Sequence, residues 1–224
     1  MLFSLPFEEI KLSDVQELLA GGGYPESDQV EYKQYLPGRD GPDNWHKDQS
    51  KGIGDYARDK ILSEIVAFAN SHGGHLIIGI QESDDKPKRA IGITPAPACA
   101  DLADRLRQAA FANIEPRLAF LQVKSVPTDE QGNGVLVVRV AQSRASPHRL
   151  SSTRPDTARQ CYVRRGDSTE TLTMREIQDL TLNSARGLDA VALRQGELRT
   201  GFQNQLGACR TTSASSALAA SITA

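Results

Sequence analysis

Two periods alternate along the hydrophobic positions of this chain. Leu12, Val15, Leu18 and Leu19 recur at helical spacing, and Gly21-Gly22-Gly23 follows them, which predicts a helix over 11–20. Val30 and Tyr32 alternate with Glu31 and Lys33, the period of a strand with one polar face. Ile61, Leu62, Ile65, Val66, Phe68 and Ala69 make one broad apolar face, predicting a helix over 59–71 halted by Gly73-Gly74. His75 to Gln81 is almost unbroken apolar sequence, as expected of a strand covered on both faces.

Further on, Leu102, Leu106, Ala109 and Ala110 predict a helix over 98–112. Strands are predicted over 118–126 and 134–140, joined by the turn-rich run from Thr128 to Gly134. A shorter strand over 160–164 and a helix over 174–182 follow. Residues 37–58, with Pro37, Gly38, Gly41, Pro42, Gly52 and Gly54, read as one long polar loop around the single tryptophan, Trp45. The order strand, helix, strand, helix, then three strands and a helix predicts an α/β (α+β) domain, a mixed β-sheet flanked by helices. The expected boundaries are an N-terminal helix and lead-in over 1–25, the domain over 26–186, a C-terminal helix over 187–210 and a disordered, low-complexity tail over 211–224.

At 224 residues, 39% of them hydrophobic, the chain suffices for one well-formed core. Cys99, Cys161 and Cys209 are odd in number and widely spaced, which argues against a disulfide framework or a zinc site. No apolar run approaches the roughly 20 residues that span a bilayer, and the first residues lack the basic flank of a signal peptide. A cytoplasmic protein without a membrane partner is expected. The formal net charge of −2 does not itself point to a polyanion, so local charge placement decides.

Two constellations carry candidate chemistry. Glu31 and Lys33 share one side of a strand, Glu26 lies just upstream, and Glu82 ends the apolar strand. Carboxylates from separate strand ends suit Mg²⁺ or Mn²⁺, which take oxygen ligands, and a neighbouring lysine suits a phosphate or developing oxyanion. Glu26, Glu31 and Glu82 are thus candidate metal ligands and, with Lys33, candidate catalytic residues of a nuclease. A solvated strand face is the alternative, and local spacing alone favours it. The second constellation is basic: Arg139, Arg144, Arg149, Arg154, Arg159, Arg164 and Arg165 lie in one segment, with only Asp156 opposing. Guanidinium groups bind phosphate bidentately, so Arg144, Arg149, Arg154, Arg159, Arg164 and Arg165, with Lys33 and Ser168, are candidate nucleic-acid contacts. Aromatic residues are only 5% of the chain. That argues against recognition by base stacking and for charge-led contact with duplex or folded nucleic acid.

Three motifs in order carry a resemblance: Glu26-Ser27…Glu31-Tyr32-Lys33; Ala67-Phe68-Ala69-Asn70-x-x-Gly73-Gly74-x-Leu76-Ile77-Ile78-Gly79-Ile80; and Tyr162-Val163-Arg164-x-Gly166-x-Ser168-Thr169. Together they resemble the Schlafen AlbA-like domain over about residues 10 to 182. The resemblance implies a nucleic-acid-binding module of bacterial regulators, with DNA or structured RNA as partner. In the Schlafen branch it implies a metal-dependent endoribonuclease, whose acids match Glu26, Glu31 and Glu82, with Lys33 alongside. The third acid of that pattern is typically aspartate, where this chain has Gln81 and Glu82. Schlafen cores resemble two such domains in one chain, which implies a homodimer here, with the pattern over 188–206 as the contact. Binding without catalysis ranks first, a nuclease second, and a nucleotide-sensing or protein-interaction module third.

Overall fold

The alternation at residues 30–33 sets the architecture, because it puts Val30 and Tyr32 on one face of a strand and Glu31 and Lys33 on the other. The computed structural model describes residues 2–152, 154, 160–187 and 194–199. The chain divides into two units, Met1–Leu180 and Thr181–Ala224. In the second, residues 181–187 and 194–199 are helical. The rest of the predicted 188–206 helix and the 211–224 tail lie outside the described residues.

The first unit begins with short 3-10 turns and α1 (Leu12–Glu17). Next come β1 (Val30–Lys33), the two-residue pair β2 (Pro37–Gly38) and β3 (Gly41–Pro42), and the long helix α2 (Asp55–Asn70). β4 (Gly74–Ile78), β5 (Ile80–Glu82) and β6 (Ala90–Ile93) precede α3 (Cys99–Asn113). The remaining strands are β7 (Ile114–Glu115), β8 (Leu121–Pro127), β9 (Gly134–Val140), β10 (Arg149–Leu150), β11 (Tyr162–Arg165) and β12 (Ser168–Thr171). The central sheet runs β1-β4-β9-β8, with β1 parallel to β4 and the other pairs antiparallel. This is the expected mixed sheet.

Each face of the sheet carries its own core. Leu76, Ile78, Leu136 and Val138 pack with α2 and α3, where Ile61, Ile65, Leu102 and Leu106 are buried. On the opposite face Val30, Tyr32, Ile77, Val135 and Val137 are covered by the N-terminal segment through Leu2, Phe7, Val15 and Leu18. The double glycine joins helix to sheet. Gly73 has φ 75°, and a Cβ on Gly74 would lie 2.4 Å from the Phe68 ring, so no larger residue lets β4 start so close beneath the end of α2.

Two expectations are corrected. The apolar run over 75–81 is two strands, because Gly79 at φ 102° breaks it and β5 turns away to pair with β6. The 37–58 segment is not one loop: it holds the β2–β3 pair and two 3-10 turns, and its end already forms the first turn of α2. Trp45 is fully buried and its Nε1 donates to Pro97 O at 2.9 Å, while Asp43 accepts from the Trp45 and Gly54 amides. The Pro97 anchor comes from a residue distant in sequence, which composition does not display.

Asn70, the last residue of α2, holds the C-terminal part of this unit in place. Its Nδ2 donates to His148 O and Tyr162 O, both at 2.9 Å, and its Oδ1 accepts from His148 N at 2.7 Å. Ser71 Oγ then accepts from Arg164 N at 2.8 Å, so side chains at the helix end do the work of a neighbouring strand for β11. Asn70→Ala strands three buried backbone groups. It is expected to lower the unfolding free energy by about 3–5 kcal/mol, read as a lower urea midpoint with unchanged slope; a loss under about 1 kcal/mol contradicts this role.

Candidate functional site

The first motif, the end of α2 and the β11–β12 hairpin meet on the α2 side of the sheet. β1 presents Glu31 and Lys33 to that side, α2 contributes Glu64, and β11 contributes Arg164. The Arg164 side chain is 1% exposed and binds Glu31 through Nη2 and Glu64 through Nη1, the latter at 3.0 Å. Nη2 also donates to Ser27 O at 3.2 Å, and the guanidinium lies 5.2 Å from the centre of the Phe68 ring. Thr169 on β12 donates to Glu64. The other Glu31 oxygen is held by Lys33. Glu26 accepts the Tyr32 amide at 2.9 Å, and Glu82 is paired with Lys88 at 2.6 Å.

The structure therefore groups the predicted Glu26, Glu31, Lys33 and Glu82 electrostatically and adds two residues that sequence reasoning missed. Glu64 gave a faint signal, a carboxylate beside the apolar face of α2; nothing in its spacing marked Lys88. Burial, then Glu31, with a smaller push from Glu82, raises the Glu26 carboxyl to about 7. Burial and Glu31 also raise Glu64. Burial pulls Lys33 down, but Glu31, Glu64 and Glu82 outweigh it and leave the ammonium raised.

A divalent ion at Glu26, Glu31 and Glu82 needs open carboxylate oxygens. Glu31 has one oxygen on Lys33 and the other on Arg164, and Glu82 already holds Lys88. Among the described residues no group of three His, Cys, Asp or Glu side chains is arranged to hold a metal ion. As arranged, Glu31 has both oxygens on protein cations, and a divalent ion there would have to displace Lys33 or Arg164.

The arginine segment divides into inner and outer members. Arg164 lies inside the domain rather than on its surface, and Arg139 donates to His75 Nε2 at 2.9 Å and to Leu5 O at 3.0 Å. Arg154 is largely covered, 3.9 Å from the buried Asp59 and over the Tyr56 ring. Arg149 and Arg165 are exposed and paired, with Glu115 at 2.7 Å and with Glu170 at 2.9 Å and Glu176, respectively. Arg144 and Ser168 are exposed, and Ser168 Oγ donates to Arg165 O. Arg159 lies outside the described residues. No described helix is long and apolar enough to cross a membrane.

The sequence profile of the Schlafen AlbA_2 family matches residues 26–173, from Glu26 through the β11–β12 hairpin. This chain belongs to the Schlafen AlbA_2 family. All three motifs of the Schlafen AlbA_2 domain fall within the match, and the ion-pair cluster joins its first motif to its last. Two solved structures are similar to the chain. The DIP2311 protein from Corynebacterium diphtheriae is 26% identical, with a TM-score of 0.44, covering 75% of this chain and 27% of that one. The chain therefore spans only about a quarter of that protein. The N-terminal domain of a RecG-related protein from Nitrosomonas europaea is 16% identical, with a TM-score of 0.39, covering 74% of this chain and 95% of that one. No curated protein matches the chain.

Glu26 makes stability depend on pH in a definite direction. The native state keeps its proton up to about pH 7, whereas the unfolded chain releases it near 4.5. Native stability from this group thus falls as pH rises through that window, by about 3 kcal/mol in all. Glu26→Gln cannot ionise and still offers Tyr32 an acceptor. Relative to the native sequence it is expected to gain about 3 kcal/mol between about pH 4.5 and 8, measured by urea unfolding. His75, held down to about 4 by burial and Arg139, titrates in both proteins and cancels. Parallel pH–stability curves contradict the assignment.

Proposed function

We propose that this chain is a nucleic-acid-binding module that holds DNA or structured RNA through backbone phosphates and does not cut it. Membership of the Schlafen AlbA_2 family over residues 26–173 carries this reading. The exposed arginines Arg144, Arg149 and Arg165 support it, because the partners of Arg149 and Arg165 are surface carboxylates that a phosphate can replace. The closed pairing of Glu31 with Lys33 and Arg164 favours binding over metal-dependent cleavage. A homodimer is part of the proposal. Light scattering is expected to give twice the chain mass at tens of micromolar, and a monomeric mass removes that part.

Fluorescence anisotropy with labelled duplex DNA and transfer RNA tests the main reading. Three phosphate contacts imply an affinity loss of about 40-fold between 50 and 200 mM salt, and Arg144→Ala is expected to lower the log–log salt slope by about 1. Denaturing gels of the same mixtures, with Mn²⁺ and with EDTA, are expected to show intact strands. Metal-dependent cuts that Glu31→Gln abolishes make the protein a nuclease instead. Negligible binding at 50 mM salt favours the interaction or nucleotide-sensing module.

A further inference from the structure

On the sheet face turned away from Glu31, strand register lines up His75, Arg139 and Gln122 across β4, β9 and β8. The N-terminal segment covers this face up to that row. Arg139 donates to the carbonyls of Leu2, Phe3 and Leu5, and the Phe3 ring lies 4.9 Å from His75. Where the cover stops, a groove of about 560 Å³ opens. Its rim carries Phe120, which is 75% exposed, together with His72 and the exposed amides of Gln29, Gln122 and Gln142. Gly73 makes the narrow end possible, since a Cβ there would lie 2.7 Å from Val140 O and 2.8 Å from Gln142 N.

Three properties define what fits. No acidic side chain lines the groove among the described residues, so a ligand attached to phosphate is not repelled. A carboxamide donates and accepts together, as the edge of a nucleobase does. An exposed aromatic ring at the lip offers a stacking surface that serves any base. The volume lies within the range of small-ligand pockets, and Arg144, two residues beyond Gln142, is exposed to meet an attached phosphate.

We infer that this groove seats one unpaired nucleobase, its ring stacked on Phe120 and its edge held by the Gln122 and Gln142 amides. The inference rests on the nucleic-acid reading but names a contact to a base rather than to phosphate. It gives the module a preference for strands with an extruded or unpaired base. Such stacking runs against the low aromatic content; one well-placed ring is sufficient for one base.

Saturation-transfer NMR with free nucleoside monophosphates tests the groove without any polymer. Ribose 5-phosphate serves as the base-free control. Transfer to the base protons is expected, none to the control, and a loss of about 10-fold in affinity in Phe120→Ala. Phe120 is exposed, so this variant is expected to keep its melting temperature. In parallel, anisotropy compares oligonucleotides carrying one unpaired base with fully paired ones. Phe120→Ala is expected to weaken only the former. Transfer that Phe120→Ala leaves unchanged overturns the inference. So does salt-dependent polymer binding with no mononucleotide transfer, which leaves the proposed function standing. Mononucleotide transfer without polymer binding supports the groove and overturns the polymer reading. A change of oligomeric state in Phe120→Ala with nucleotide binding unaltered overturns it in favour of a second copy of the chain.

Discussion

A guanidinium removed from water is tolerated only where carboxylates and carbonyls replace its hydration in the right geometry. Arg164 meets that condition at both of its Nη atoms, through Glu31 on β1, Glu64 on α2 and the carbonyl of Ser27. Two separate stretches of chain, residues 27–31 and α2, must therefore converge on one side chain of β11, and that holds the β11–β12 hairpin against them. Charge balance extends the constraint outward. Glu31, Glu64 and Glu82 face three cations, Arg164, Lys33 and Lys88. Burial is the main reason Glu26 holds its proton towards neutrality, and the neighbouring charges of Glu31 and Glu82 add to it.

Much of this arrangement was legible in the sequence, for identifiable reasons. The alternation over 30–33 correctly placed Glu31 and Lys33 on one face, because strand geometry allows nothing else. The double glycine marked the end of α2 and the start of β4, and the apolar run over 134–140 forms β9 with those same bounds. What escaped depends on partners distant along the chain. Trp45 is ordered by Pro97, and Asn70 is satisfied by His148 and Tyr162, more than seventy residues away. β6 is four residues long and pairs with a strand that exists only because Gly79 breaks an apolar run.

The arginine segment shows the same limit from the other side. Sequence displays its members in one row, yet Arg164 and Arg139 are interior clamps whose planar fork suits several fixed acceptors at once. Arg149 and Arg165 stand in solvent. Spacing does not separate these classes; only the position of each acceptor does.

That separation bears on how one small domain holds an acid cluster and yet admits a polyanion. Carboxylates left open in this cluster would repel phosphates approaching the domain. Pairing with Lys33, Lys88 and Arg164, and the proton on Glu26, remove most of that repulsion inside the domain. The outer arginines are paired differently, with Glu115, Glu170 and Glu176 in high dielectric, where such pairs contribute about 0–1 kcal/mol. A phosphate replaces a surface carboxylate at little cost and releases counter-ions in doing so. Under the proposed function, the buried pairs give the domain its shape and neutrality, and the weak exposed pairs keep its arginines oriented and exchangeable.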